Sequence, residues 1–135
     1  MTMQLSVAVR NAMLDAVETA VGTAAKVEIK TGAPPASCAA AATGTILASF
    51  TLASDWMAAA SSGSKAFSGV PLSITASNTG TAAHFRVYAS DGTTCHIQGT
   101  ITATGGGGDM TIDNTSINSG QTVRITGFTL TQSGA

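Results

Sequence analysis

Charge is sparse in this sequence: Asp, Glu, Lys and Arg together make up 10 % of its 135 residues, against about a quarter in an ordinary soluble domain. Six cations meet seven anions for a formal net charge of −1. The cations are scattered, so the basic footprint of phosphate-backbone binding is missing and nucleic acid is not an expected partner. Aromatic residues are equally few, at 4 %. A core must therefore come from Ala, Val, Ile, Leu and Met within the 44 % of the chain that is hydrophobic, and such small side chains suit thin, closely packed sheets. The surface left over is neutral and rich in hydroxyls. It repels copies of itself weakly, which favours a subunit packed into an assembly over a free monomer.

Long apolar runs are missing as well. None approaches the roughly 18 residues of a membrane span, so a soluble chain with no membrane partner is expected. The opening MTMQLSVAVR has no basic region followed by a compact apolar stretch and a cleavage site. No secretory signal is read there, and synthesis is expected to finish in the cytoplasm. The two cysteines, Cys38 and Cys95, lie far apart with no CxxC pairing, which signals neither a zinc site nor a redox motif and leaves buried free thiols as the expectation.

The motifs of catalysis are absent in turn. Serine is abundant, yet there is no G-x-S-x-G elbow, and neither histidine sits in a context suggesting a base oriented by an acid. The run Gly105 to Gly108 lacks a following Lys-Ser or Lys-Thr and reads as a flexible turn, not a phosphate cradle. Asp109 and Asp113 fall four apart on one strand face, about 13 Å at strand rise, too far for a retaining carboxylate pair. With Asn114 they match no calcium loop and read as turn chemistry. No enzyme, cofactor, metal or small-molecule substrate is expected. A hydrolase assembled from distant residues, among them His84, His96 and Asp91, is the remote alternative, because sandwich folds do carry enzymes.

What is present is a change of period. Leu5, Val9, Ala12, Met13, Ala16, Val17, Ala20 and Val21 recur every three or four residues, with Arg10, Asn11, Asp15, Glu18 and Thr19 on the other side. This predicts an amphipathic helix over 4–22, stopped by Gly22. From Lys26 the period becomes two: Val27 and Ile29 alternate with Lys26, Glu28 and Lys30 before a turn-rich stretch to Pro35. Residues 36–44 read as a short helical turn or an irregular connection. A strand follows over 46–52, then a loop opened by Asp55, Trp56 and Met57, and shorter strands near 66–68 and 72–76.

The segment AHFRVYASDGTTCHIQGTIT sets a register. A two-residue Asp91-Gly92 turn would mix apolar and polar residues on both faces. A three-residue loop, Ser90-Asp91-Gly92 with Gly92 left-handed, pairs Val87 with Cys95 and Phe85 with Ile97 and leaves one clean apolar face. His84, Arg86, Tyr88, Thr94, His96 and Gln98 then line the other. His84 and His96 share that face, but Arg86 would repel a divalent ion, so solvent-facing or interface histidines are expected. A strand over 109–113 follows the glycine run. The last strand, 121–131, changes phase between Ile125 and Phe128, which calls for a β-bulge at Gly127. Together these predict a single domain over 1–135: the helix at 4–22 and an antiparallel, jelly-roll-like β-sandwich of about eight short strands over 26–131.

Two features suit a partner surface. The helix either covers one end of the sandwich or docks onto a neighbouring subunit, since a sandwich does not need it for closure. Trp56 with Met57, in a loop, is the candidate exposed anchor, because Trp is enriched at interface hot spots; the alternative is that the single Trp of an aromatic-poor chain is a core residue. Arg10 and Asp15, on the polar side of the helix, complete the expected contact.

The strings TAAHFRVYASDG, TATGGGGDMTIDNTSINSGQTV and ITGFTLT, with LSVAVRNAMLDAVETAVG and KTGAPPASCAAAATGTILASFTL near the start, resemble small virion proteins of tailed bacteriophages. The likeness spans nearly the whole chain and carries no catalytic motif. It implies a structural role, first as a head decoration or cement protein bound as a homo-oligomer to the major capsid protein on the capsid surface. A tail, baseplate or fibre component is the rival, with Trp56, Tyr88, His84 and Gln98 available to a host glycan.

Overall fold

Ser6 sets where the helix starts. Its backbone is extended (φ −65, ψ 158) and its hydroxyl accepts from the Val9 amide at 3.2 Å, capping an amide that has no partner inside the helix. In this computed structural model, which describes residues 3–132, helix α1 spans Val7–Val21. Gly22, at φ +88, returns its N–H to Glu18 O at 2.9 Å and ends it. The helix is thus shorter at both ends than the 4–22 expected.

The rest is mainly β. Nine strands are found among the described residues: β1 (Lys26–Thr31), β2 (Ile46–Thr51), β3 (Ser64–Ala66), β4 (Leu72–Thr75), β5 (Gly80–Tyr88), β6 (Cys95–Ala103), β7 (Met110–Ile112), β8 (Ser116–Ile117) and β9 (Thr122–Thr131). They pair in the order β2-β1-β5-β6-β7-β9-β3, with β4 also on β9 and β8 on β5. One step departs from the antiparallel expectation. β6 and β7 run parallel, Ile101 opposite Met110, because the chain crosses back through the glycine run before pairing again.

This order draws one curled sheet and does not by itself draw the two facing sheets of a jelly-roll sandwich. The curl is measurable. Phe85 on β5 and Phe128 on β9 are three strand spacings apart along the sheet, about 14 Å if it were flat, yet their rings meet edge to face at 5.3 Å. Phe128 also packs on Phe67 at 4.7 Å, and Phe67 on Trp56 at 5.7 Å. Four of the few aromatics thus form one chain through a core otherwise filled by Val27, Ile29, Val87, Met110, Ile112, Val123 and Ile125. At the seam Ser77, just beyond β4, donates its amide to Leu47 O of β2 at 2.8 Å.

The β5–β6 hairpin differs from the expected register by two residues. Val87 pairs with Ile97 and Phe85 with Gly99, and the ladder shifts so that Tyr88 pairs with Cys95. A four-residue turn, Ser90 to Thr93, closes it between Ala89 and Thr94, and His96 is the extra residue of a bulge. A two-residue slip keeps every side chain on its face, so Phe85, Val87 and Ile97 still point to the core. Gly92 is left-handed at φ +73, as expected. The bulge expected at Gly127 falls one residue earlier, with Thr126 skipped between Ile125 and Gly127.

Candidate functional site

The underside of α1 is polar. The segment from Met57 to Gly63 runs beneath the helix, and three of its amides have no strand partner. Met57 donates to Glu18 Oε1 at 3.3 Å, Ala60 to Asp15 Oδ1 at 3.1 Å and Gly63 to Asn11 Oδ1 at 2.9 Å. The three acceptors recur at i, i+4 and i+7, one helical face. Lys65 rises from β3 into the same row, its ammonium 2.7 Å from Asp15 Oδ1, 2.9 Å from Glu18 Oε2 and 3.0 Å from Ala58 O. Burial pulls the Lys65 pKa down, but the two carboxylates outweigh it and hold it above the ordinary lysine value. The Lys65 hydrogen bond, then the Ala60 amide, hold Asp15 below the ordinary carboxylate value. Trp56 Nε1 donates to Gly22 O at 3.0 Å, tying down the helix end. Leu14 and Val21 are buried along the same face, each contributing roughly 1.5–3 kcal/mol.

This docking leaves most of the expected apolar stripe facing out. Val17 and Val21 turn inward, but Val9, Ala12, Met13, Ala16 and Ala20 are exposed along one side, Val9 at 46 % and Met13 at 44 %. Met3 and Val7 extend the apolar surface at the N-terminal end. The hydrophobic gain from turning the stripe inward would have left a buried ammonium and three amides unpaired, each costing about 1–3 kcal/mol or more.

Trp56 and Met57 do not form the exposed anchor expected of them. They are 2 % and 1 % exposed, because the loop that carries them packs its side chains between the helix end and Phe67. Asp15 is engaged by Lys65 and Ala60. Arg10 is half-buried against Gly63, where a Cβ would lie 2.5 Å from its guanidinium.

A second assembly lies on the face of β1, β5 and β6 expected to meet solvent. His84, Arg86 and Tyr88 are all buried, because the connection from Gly32 to Thr45 folds back over them as a flap. Arg86 Nη2 donates to Ser37 O and Ala40 O, both at 2.9 Å, and its Nε to Gln98 Oε1 at 3.1 Å. Gln98 Nε2 donates to Pro35 O at 2.6 Å, and His84 Nδ1 to Gly32 O at 2.7 Å. The carbonyl can only accept, so Nδ1 carries the proton and the buried Nε2 is left without a partner. Burial raises the Tyr88 phenol above its usual value, with Arg86 partly opposing. A cleft of about 500 Å³ opens between flap and sheet, floored by Glu28, Lys30, Arg86 and Tyr88.

The flap also carries Cys38 to within 2.8 Å of Cys95, sulfur to sulfur. Both thiols are half-buried, not fully enclosed as expected. Cys95 is pushed up to about 12, by burial first and then by its hydrogen bond with Cys38. The two histidines are not brought together: His84 pairs with Thr100, four residues beyond the exposed His96 on β6, about 13 Å along the strand. Among the described residues no group of three His, Cys, Asp or Glu could hold a metal ion, and no helix is long and apolar enough to cross a membrane. Asp109 takes the Thr100 amide and hydroxyl at 2.9 and 3.0 Å, and Asp113 the Asn114 and Arg124 amides at 3.0 and 3.2 Å.

Sequence reasoning missed the flap and the second helix stripe. Asn11, Asp15 and Glu18 share a face as regularly as the apolar residues do, and that spacing was the available signal. For the flap the signal is weaker: a tract from Gly32 to Thr45 without a charge can lie on a sheet without stranding ions.

The chain matches no protein-family model, no curated protein and no solved structure.

Proposed function

We propose that this chain is a non-enzymatic virion structural protein, a decoration subunit that binds the outer face of a capsid shell as a small symmetric oligomer. The observation that carries this reading is the orientation of α1. A helix held down by its polar side and presenting Val9, Met13 and three alanines outward is placed to meet another protein's surface. The low charge of the chain and its resemblance to tailed-phage virion proteins support the same reading. The curled sheet serves as a sandwich-like, jelly-roll-like scaffold that fixes the helix. Binding the assembled shell of major capsid protein, and not its dissociated subunits, stabilises the shell by mass action.

Mixing the purified chain with undecorated shells tests this. The expected result is saturable, stoichiometric binding and a higher shell disruption temperature, both lost on Met13→Asp with the fold retained by circular dichroism. No binding to shells overturns the decoration role; binding to tails or baseplates instead favours the rival placement. Of the residues expected to serve the glycan version of that rival, Trp56, Tyr88 and His84 are buried and Gln98 is tied to the flap.

A further inference from the structure

We propose that Cys38 and Cys95 are a redox-closable pair, and that a disulfide between them fastens the 32–45 flap to the sheet. The sulfurs are already 2.8 Å apart although the residues are 57 apart in sequence. A disulfide, with an S–S bond of about 2.05 Å, requires the two sulfurs to close by less than about 1 Å. Cys38 sits in the turn Ser37 to Ala40, closed by the Ala40 amide on Ser37 O at 3.1 Å, and Arg86 donates to the carbonyls of both Ser37 and Ala40. On the other side Cys95 is fixed in the ladder opposite Tyr88. Both cysteines are only partly buried, which leaves a path for a small reagent.

The step balances with a low-molecular-weight disulfide as oxidant. The Cys38 thiolate attacks one sulfur of the reagent, forming a mixed disulfide and releasing one thiolate. Cys95 gives its proton to water and attacks the Cys38 sulfur, expelling the second thiolate. Two protein thiols lose two protons and two electrons, and the reagent is reduced to two thiols. In a reducing cytoplasm the pair stays open, and it closes once the protein meets an oxidising environment.

The flap is otherwise tied to the sheet by the hydrogen bonds of Arg86, Gln98 and His84 to its carbonyls, and lifting it uncovers a buried guanidinium and imidazole. A covalent link spanning 57 residues restricts the unfolded chain as well as the flap. The flap carries four successive alanines, Ala39 to Ala42, and no Lys or Arg, so elastase, which cuts after small residues, is a probe of its opening where trypsin is not.

The full chain is incubated with oxidised glutathione and compared with the same chain in dithiothreitol. Expected are a monomeric product about 2 Da lighter, a Cys38–Cys95 linked peptide, a Tm higher by on the order of 10 °C and elastase cleavage in the flap slowed about tenfold. Cys38→Ser and Cys95→Ser should show neither the mass change nor the Tm rise. Glutathione adducts on separate cysteines, disulfide-linked dimers or two persistent thiols overturn the proposal. A linked peptide with unchanged elastase cleavage overturns the fastening of the flap. Because the wild-type chain supplies both states, the result does not depend on a variant folding.

Discussion

Lys65 Nζ lies 2.7 Å from Asp15 Oδ1 across 50 residues of sequence, and the same ammonium reaches Glu18. One buried cation therefore joins β3 to two successive turns of α1. Lys65→Met keeps the volume and removes all three hydrogen bonds, and is expected to cost about 1.5–3 kcal/mol. Urea unfolding should show the midpoint fall with the slope unchanged; an unchanged midpoint would mean that the Lys65 contacts add nothing net to the hold on the helix.

The same groups set the pH limits of stability. Asp15 is held below its ordinary 3.8, and Asp91 is held lower still by the Thr94 hydroxyl and then by the Thr94 and Thr93 amides. Their contribution is complete above pH 3.8 and drains as pH falls through the lowered folded values, because the unfolded chain takes up protons first. Lys65 works in the opposite sense: its contribution is complete below 10.5 and is lost as pH rises through the raised folded value. Thermal unfolding from pH 2 to 12 should show both limbs, with the acid limb reduced in Asp91→Asn and the alkaline limb in Lys65→Met.

Adjacent residues on α1 should respond oppositely. Leu14 is 5 % exposed and Met13 44 %. Leu14→Ala is expected to cost about 2–4 kcal/mol, and Met13→Ala to stay within about 0.5 kcal/mol. A larger loss from Met13→Ala than from Leu14→Ala in thermal unfolding would show that the helix is turned the other way.

Gly99 marks a close approach. A Cβ there would lie 2.8 Å from Asp109 Oδ2 and 2.9 Å from Phe85 Cε1, so Gly99→Ala is expected to cost roughly 1–3 kcal/mol by overpacking. Adding Asp109→Ala should recover part of that loss, because the carboxylate oxygen at 2.8 Å is removed while the Cβ at 3.0 Å stays. Strict additivity in the double variant would exclude the contact.

Local signals were legible where the physics is local. The switch from period four to period two at Lys26, the left-handed Gly92 and the phase change before Phe128 each depend on a few neighbouring residues, and each is found within a residue or two of its expected place. The hairpin shows the limit. Alternation fixes which face a residue takes, and both Val87–Cys95 and Val87–Ile97 satisfy it; the bulge at His96, which decides between them, leaves no mark in the pattern.

The sequence by itself determined a chain that is mainly β after one capped helix, with a small-residue core, little charge and no familiar reactive motif, because composition and periodicity act through backbone preference and burial at short range. Tertiary structure alone decided which side of the helix faces inward, that Trp56 is core, that the 32–45 tract covers a charged face and that Cys38 meets Cys95. Those outcomes turn on pairing Lys65, Arg86 and three loop amides with acceptors as many as 52 residues away. A buried polar group must find a partner, and which one it finds depends on where the rest of the chain has already been placed.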